Sequence, residues 1–365
     1  MVSGDLRHPF LFHHGLRCHS ARGDRRSIGR ALIVEVHFCV SVGCSYGLAL
    51  GFVGLPLSTM QNRQNSPGKV DSILIKQVAR KTEVNAATIT RQSKSNLALA
   101  FVSLGRERKR DITIFYAFCR VVDDIADSAE LSVIEKRVRL ANWRQMLRAS
   151  APDEPLLARD VRQLMEKYSL SPDMLEEIIA GVEMDLSIAR YPTFKELRVY
   201  CYRVASAVGL VSIEIFGYRN PRCREYAIDL GLALQMTNII RDVWKDFQAG
   251  RIYLPQEDLA RFHYSEADLA KRQYNEHFLQ LMQFEASRAH EFFGRAVGEL
   301  PPEDRRAMAP AEIMRSIYRA LLRRIELDKF RVFEKEYRLS KPEKAGRITV
   351  QLFKSFLNWP RRASV

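Results

Sequence analysis

Residues 233–259 read ALQMTNIIRDVWKDFQAGRIYLPQEDL, and the fold follows from how this stretch is read. Its apolar residues recur at spacings of three and four, the period of a helix with one buried face. Gln235, Asn238, Asp242 and Asp246 fall at i, i+3, i+7 and i+11, within one broad stripe. On a helix of about 3.6 residues per turn the two aspartates stack one turn apart. Like charges there repel and weaken the helix. Arg241 sits beside them, and Arg251 and Tyr253 follow just past the helix.

A second cluster of the same kind lies about 115 residues upstream, in YAFCRVVDDIAD (116–127). Tyr116, Arg120, Asp123 or Asp124, and Asp127 descend one face of a second predicted helix. The residues around both clusters are apolar: Ile125 and Ala126 in one, Ile239 and Ile240 in the other. Acidic surface helices usually intersperse lysine one turn away. These carboxylates instead border a buried surface, which suits a cleft inside a bundle. The natural counter-charge is a divalent cation carrying a phosphorylated ligand. Mg²⁺ uses one or two carboxylates and bridges them to phosphate, while arginine holds phosphate oxygens bidentately.

Outward from these helices the pattern stays helical. Apolar periodicity predicts helices over 95–104, 111–127, 132–148, 156–168, 173–188, 194–217, 222–247, 265–298 and 309–337. Ser171-Pro172 ahead of Asp173 and Glu176 is a capping-type start. No strand alternation of useful length, Gly-rich phosphate loop or internal repeat is found. The expected architecture is a single all-α bundle of about ten to twelve helices.

The chain has 365 residues, 27% of them charged, with a net charge of +14. That balance favours anionic partners. The basic residues are scattered through helical patterns rather than blocked, so no nucleic-acid partner is expected. The six cysteines make no CxxC pair and no zinc-type spacing, and read as small buried hydrophobes.

Three segments divide the chain: an atypical extension over 1–70, the helical domain over 71–345, and a basic amphipathic tail over 346–365. Residues 1–59 hold six Arg and no Lys, and 38–57 form an uncharged run long enough to span a membrane. A membrane anchor, a targeting segment and a start codon placed too early are the readings, the last favoured by the composition change at Met60. The tail interleaves Leu352, Phe353, Phe356, Leu357 and Trp359 with basic residues. It either lies on anionic lipid or packs as a last helix.

At these motifs the sequence resembles the squalene/phytoene synthase family of head-to-head (1′–1) prenyl-diphosphate synthases. YAFCRVVDDIAD resembles its first aspartate-rich motif, YCYRVASAVGL (200–210) its central helix, and 233–259 its second aspartate-rich motif. The likeness runs from about residue 90 to 345. It implies a single-domain fold of the class I isoprenoid synthase type, with helices around a central cleft. It further implies that Asp123, Asp124 and Asp127 bind Mg²⁺ and one diphosphate, and that Asn238, Asp242 and Asp246 bind Mg²⁺ for the other. Tyr116, Arg120, Arg241, Arg251 and Tyr253 would line the diphosphate region. Tyr200 matches an active-site tyrosine, and Val204, Val208 and Gly209 match a small-residue wall against prenyl chains. Gln235 matches a pocket residue. Ser93, Lys94 and Ser95 resemble an N-terminal substrate-contacting segment; Tyr318 matches a position near the diphosphates, and Lys335 falls where some members place an arginine. Lys245 departs from the family, which commonly has an acidic residue there.

Within the family, 200–242 resembles most the bacterial presqualene diphosphate synthases of hopanoid pathways. This implies farnesyl diphosphate as substrate, downstream squalene and hopanoid enzymes as partners, and a bacterial protein in the cytoplasm, peripherally on its membrane. Phytoene synthase is the alternative. Two more are a full NADPH-dependent squalene synthase and a non-catalytic assembly factor. No nicotinamide fingerprint is present, so NADPH is not expected, though the reductive members also lack a Rossmann motif.

Overall fold

The computed structural model describes residues 100–357, so the extension, its boundary at residue 70, and Ser93, Lys94 and Ser95 lie outside the described residues. After a 3₁₀ turn at Phe101–Ser103 come α1 (Arg106–Asp127), α2 (Val133–Arg148), α3 (Leu156–Tyr168) and α4 (Pro172–Met184). The central helix follows as α5 (Phe194–Cys201), a π turn (Tyr202–Ser206) and α6 (Ala207–Phe216). Then come α7 (Cys223–Gln248), α8 (Gln256–Arg261), α9 (Glu266–Ala270), α10 (Glu276–Glu299), α11 (Ala309–Leu327) and α12 (Lys341–Leu357). Among the described residues there is no β-strand, only an isolated parallel bridge between Arg190 and Ile252.

The central helix packs on α1, α4 and α7, while α7 packs also on α10 and α11. Phe194–Phe216 is long and apolar enough to cross a membrane, but 72% of its apolar window is buried inside the bundle, as befits a core helix. Its Leu210, Val211, Ile213 and Ile215 are all buried. Burial of each such side chain contributes roughly 1.5–3 kcal/mol.

Local chemistry sets the helix ends. Ser171 caps α4, its hydroxyl accepting from the Asp173 amide at 3.2 Å with Pro172 in the first turn, as the sequence predicts. Gly250 ends α7 with φ +82°, a conformation glycine adopts at little cost. The turn lets the Arg251 amide donate to the Asp246 carbonyl at 2.9 Å, so the chain doubles back beside the second aspartate cluster.

Several bounds expected from the sequence are redrawn. Of 95–104, residues 95–99 lie outside the described residues; Ala100 is helical, the 3₁₀ turn follows, and the chain turns extended at Leu104 ahead of α1. The 265–298 pattern is two helices: Arg272 adopts φ +52° and Asn275 caps α10, its side chain accepting from the Phe278 amide at 3.0 Å. The 309–337 pattern stops at Leu327. Lys329 and Phe330 take positive φ, and the turn drops Phe330 and Phe333 into the core. The boundary at 345/346 falls inside α12. Ser340 and Glu343 cap that helix reciprocally, and Ile348 and Leu352 pack it against the bundle.

Candidate active site

The two aspartate helices contribute unequal clusters. On α1, Tyr116 and Asp123 are buried, Asp127 is half-buried and Asp124 is exposed. Arg120 donates to Asp123 Oδ2 at 2.7 Å and also to Asp124. Asp124 therefore faces solvent and holds the arginine rather than extending the buried face. Asp123 Oδ1 is buried and has no hydrogen-bond partner. Burial, then the neighbouring Asp127, pushes the Asp123 carboxyl up to about 8 against the opposing pull of Arg120.

On α7, Gln235, Asn238 and Asp246 are buried, and Asp242 is half-buried. The Arg241 Nε donates to Asp242 at 2.9 Å, and its Nη2 reaches the other carboxylate oxygen. Burial and Asp242 hold Asp246 well above the usual carboxylate range, opposed by Lys245 and Arg241. Gln235 Oε1 is a second buried oxygen without a partner.

Between the clusters stands Asp185, which the sequence reading does not single out. It follows the last residue of α4 and is 8% exposed. The Tyr253 hydroxyl donates to its Oδ1 at 2.7 Å and the Tyr200 hydroxyl to its Oδ2 at 3.0 Å. Arg251 donates to its backbone carbonyl at 3.3 Å. The Tyr200 and Tyr253 rings stack at 5.1 Å, and Tyr191 lies 5.6 Å and 6.0 Å from them. The Tyr191 hydroxyl is buried without a partner. Burial pushes the Asp185 carboxyl up to about 7, with Arg251 and the two phenols pulling it back. Its charge is felt by Asp123 on α1 and by Asp246 on α7.

Backbone pairing builds this arrangement. The Ile252 amide donates to the Ala189 carbonyl at 3.0 Å, and the Gln256 amide to the Tyr191 carbonyl at 2.9 Å. The RIYLP segment thus lies along residues 189–192, which sets Tyr253 beside Tyr191. Arg190 locks the pair from outside, donating to Gly250 at 2.8 Å and to Glu266 at 2.9 Å.

Other expected residues fall in different places. Val204 and Val208 are buried on the central helix. Gly209 faces α7, where a Cβ would lie 3.1 Å from the Ala227 carbonyl oxygen, so close helix packing accounts for this glycine. Tyr318 is buried on α11. Lys335 pairs with Asp328 at 2.6 Å, in the segment after α11.

The donor set suits a cation that brings its own oxygens. The partnerless buried oxygens of Asp123 and Gln235 are acceptors, and a cation here would offset the burial that raises the proton affinity of Asp123, Asp185 and Asp246. No three His, Cys, Asp or Glu side chains among the described residues form a ready-made metal cage. Mg²⁺ fits such a site because it is commonly held by one or two carboxylates, water and substrate phosphate.

A model of the Squalene/phytoene synthase family matches residues 90–343. The chain belongs to this family. It is 33% identical to the 15-cis-phytoene synthase of Synechocystis sp. over 270 residues, covering 70% of this chain and 80% of that protein. It is 35% identical to the phytoene synthase of Arthrospira platensis over 263 residues, covering 67% and 84%. Among solved structures, a dehydrosqualene synthase superposes with a TM-score of 0.65 at 24% identity, over 78% of this chain and 99% of that one. A squalene synthase from Alicyclobacillus acidocaldarius gives 0.59 at 24% identity, over 72% and 96%. These two likenesses establish the all-α isoprenoid synthase fold. The family's reaction is the head-to-head condensation of prenyl diphosphates.

Proposed function

We propose that this family member condenses two molecules of farnesyl diphosphate head to head to presqualene diphosphate, with Mg²⁺. The observation that carries the diphosphate chemistry is the pair of buried clusters on α1 and α7 with arginines at their edges. The fifteen-carbon substrate rests on the resemblance of residues 200–242 to presqualene diphosphate synthases.

Mg²⁺, when bound, neutralises the charge of the departing diphosphate. Asp123 and Asp127 would hold it on one side, and Asn238, Asp242 and Asp246 on the other. Arg120 and Arg241, each already ion-paired to a carboxylate, can pass a hydrogen-bond donor to an incoming phosphate oxygen. Val204 and Val208 supply an apolar surface for prenyl chains and help to exclude the water that would quench an allylic cation. Later steps of the squalene route would fall to partner proteins, and NADPH is not expected for this step.

A second reading is favoured by the names of the relatives at 33% and 35% identity: condensation of two geranylgeranyl diphosphates to phytoene. One experiment separates them. The full chain is incubated with Mg²⁺ and either substrate, with and without NADPH. Presqualene diphosphate from the fifteen-carbon substrate without NADPH supports the proposal. A forty-carbon product from the twenty-carbon substrate alone transfers it to phytoene. Squalene formed with NADPH adds a reductive step. No condensation with either, and no effect of Asp123→Ala or Asp242→Ala, would indicate a non-catalytic assembly factor.

A peripheral contact with anionic lipid is proposed for α12, whose Val350 and Phe353 are 55% and 63% exposed on a basic helix. Phe353→Asp should reduce cosedimentation with phosphatidylglycerol vesicles. Unchanged cosedimentation would leave α12 as a packing helix alone.

A further inference from the structure

The carboxylate of Asp185 touches both the central helix and the RIYLP segment, accepting from Tyr200 and Tyr253. An ionised carboxylate only accepts hydrogen bonds. A phenol has a single O–H, and with Asp185 ionised Tyr200 and Tyr253 each donate it to that carboxylate. The 3.3 Å separation between the two hydroxyl oxygens is then a proximity and not a second donation. Neither phenol can at the same time offer a hydrogen to a diphosphate. Burial raises the Asp185 carboxyl to about 7 while Arg251 and the two phenols pull it back, so the ionised form that imposes this orientation prevails above that pH.

We infer that Asp185 is a positioning residue for the condensation: it accepts from both phenols and so turns their oxygens, as negative dipole ends, toward the cationic carbon left when diphosphate departs. The inference deepens the reading under Proposed function and rests on head-to-head condensation, whichever chain length is used. A preorganised dipole acts where charge develops and needs no reorganisation at that moment. The stacked rings and the burial of Asp185 hold the phenols in place before substrate arrives. Asp185 is thereby distinct from the aspartates of the two motifs: its two oxygens already have partners, whereas Asp123 Oδ1 has none.

The test uses Asp185→Asn in the full chain, with Mg²⁺ and farnesyl or geranylgeranyl diphosphate. An amide in this position accepts from one phenol but must donate to the other, whose hydrogen then turns away. Diphosphate release, condensed product and free prenyl alcohol are measured together. KM should stay within about twofold and diphosphate release should persist, while condensed product falls by about tenfold or more and alcohol rises. A parent-like ratio of product to alcohol at parent-like rate overturns the inference. So does a loss confined to KM, or a parallel loss of release and condensation. If Asp185→Asn does not fold, Tyr253→Phe decides, since it keeps the ring stack and removes one hydroxyl; an unchanged product ratio there also overturns it. A parent protein that condenses neither substrate defeats the functional reading and this inference with it, an outcome distinct from failure of the variant alone.

Discussion

A Cβ placed on Gly231 of α7 would lie 2.6 Å from the Cα of Ser206 and 2.7 Å from its backbone nitrogen. These atoms belong to the π turn of the central helix, whose Ser206 hydroxyl also donates to the Ile228 carbonyl of α7 at 2.7 Å. The contact is with backbone, so no side chain can swing aside. Gly231→Ala should therefore push the central helix off α7 and carry Tyr200 and Val204 with it. Overpacking of this kind costs about 1–3 kcal/mol. The measurement is a thermal melt together with turnover: both should fall, and a variant with parent-like values would show that the two helices separate freely.

Asp123 predicts opposite effects on stability and activity. Its carboxyl is buried, its Oδ1 has no partner, and its proton affinity is raised. The metal-free fold therefore carries a cost whenever Asp123 is ionised, a cost that grows as pH rises from the ordinary carboxylate range through about 8. Asp123→Asn removes that charge while Arg120 keeps Asp124. In EDTA at alkaline pH the variant should melt no lower than the parent, yet turnover should fall by about a hundredfold or more. Melting curves with Mg²⁺ and inorganic diphosphate should stabilise the parent more than the variant. Equal stabilisation would remove Asp123 from the metal site.

Both aspartate helices were legible in the sequence because their carboxylates, arginines and apolar neighbours share one period, and local spacing is what sequence displays. The Ser171 cap was legible for the same reason. Asp185 was not. It has no companion carboxylate three or four residues away, and its meaning comes from Tyr253, 68 residues away. The signal available was weak: one Asp in an apolar run, GVEMDLSIARY, just ahead of Tyr191. The ends of α9 and α11 were missed because Arg272, Lys329 and Phe330 adopt positive φ without being glycine. There the burial of Phe330 and Phe333 outweighs local preference.

Lys245 makes the second cluster electrostatically different from the first. Its charge opposes the rise in Asp246 proton affinity, so in the metal-free protein it supports the ionised carboxylate. The same charge repels a divalent cation. Lys245→Glu should lower the Mg²⁺ concentration needed for half-maximal turnover. Reversing one partly solvated charge near the site is worth roughly 1 kcal/mol, or about fivefold in metal requirement. Titrating activity against Mg²⁺ in parent and variant checks this. A higher Mg²⁺ requirement in the variant, or an unchanged one, would mean that Lys245 acts on diphosphate alone.

Away from the site, Glu285 on α10 is fully buried and receives a hydrogen bond from Arg288 at 2.8 Å, while the same Arg288 Nη1 donates to Asp258 at 2.9 Å. The Arg288 guanidinium also lies over the Phe194 ring at 3.8 Å. Glu285 Oε1 has no partner, and burial pushes the carboxyl from 4.5 up to about 8 despite Arg288. The folded chain therefore keeps a proton that the unfolded chain releases. Its contribution to stability is present below about 4.5 and is lost as pH rises through about 8. Glu285→Gln has no proton to lose, so the melting temperature of the variant relative to the parent should climb across that window. Taking the difference between the two proteins cancels the titration of Asp123 and Asp185, which is common to both. Parallel curves of melting temperature against pH would show that Arg288 keeps Glu285 ionised throughout.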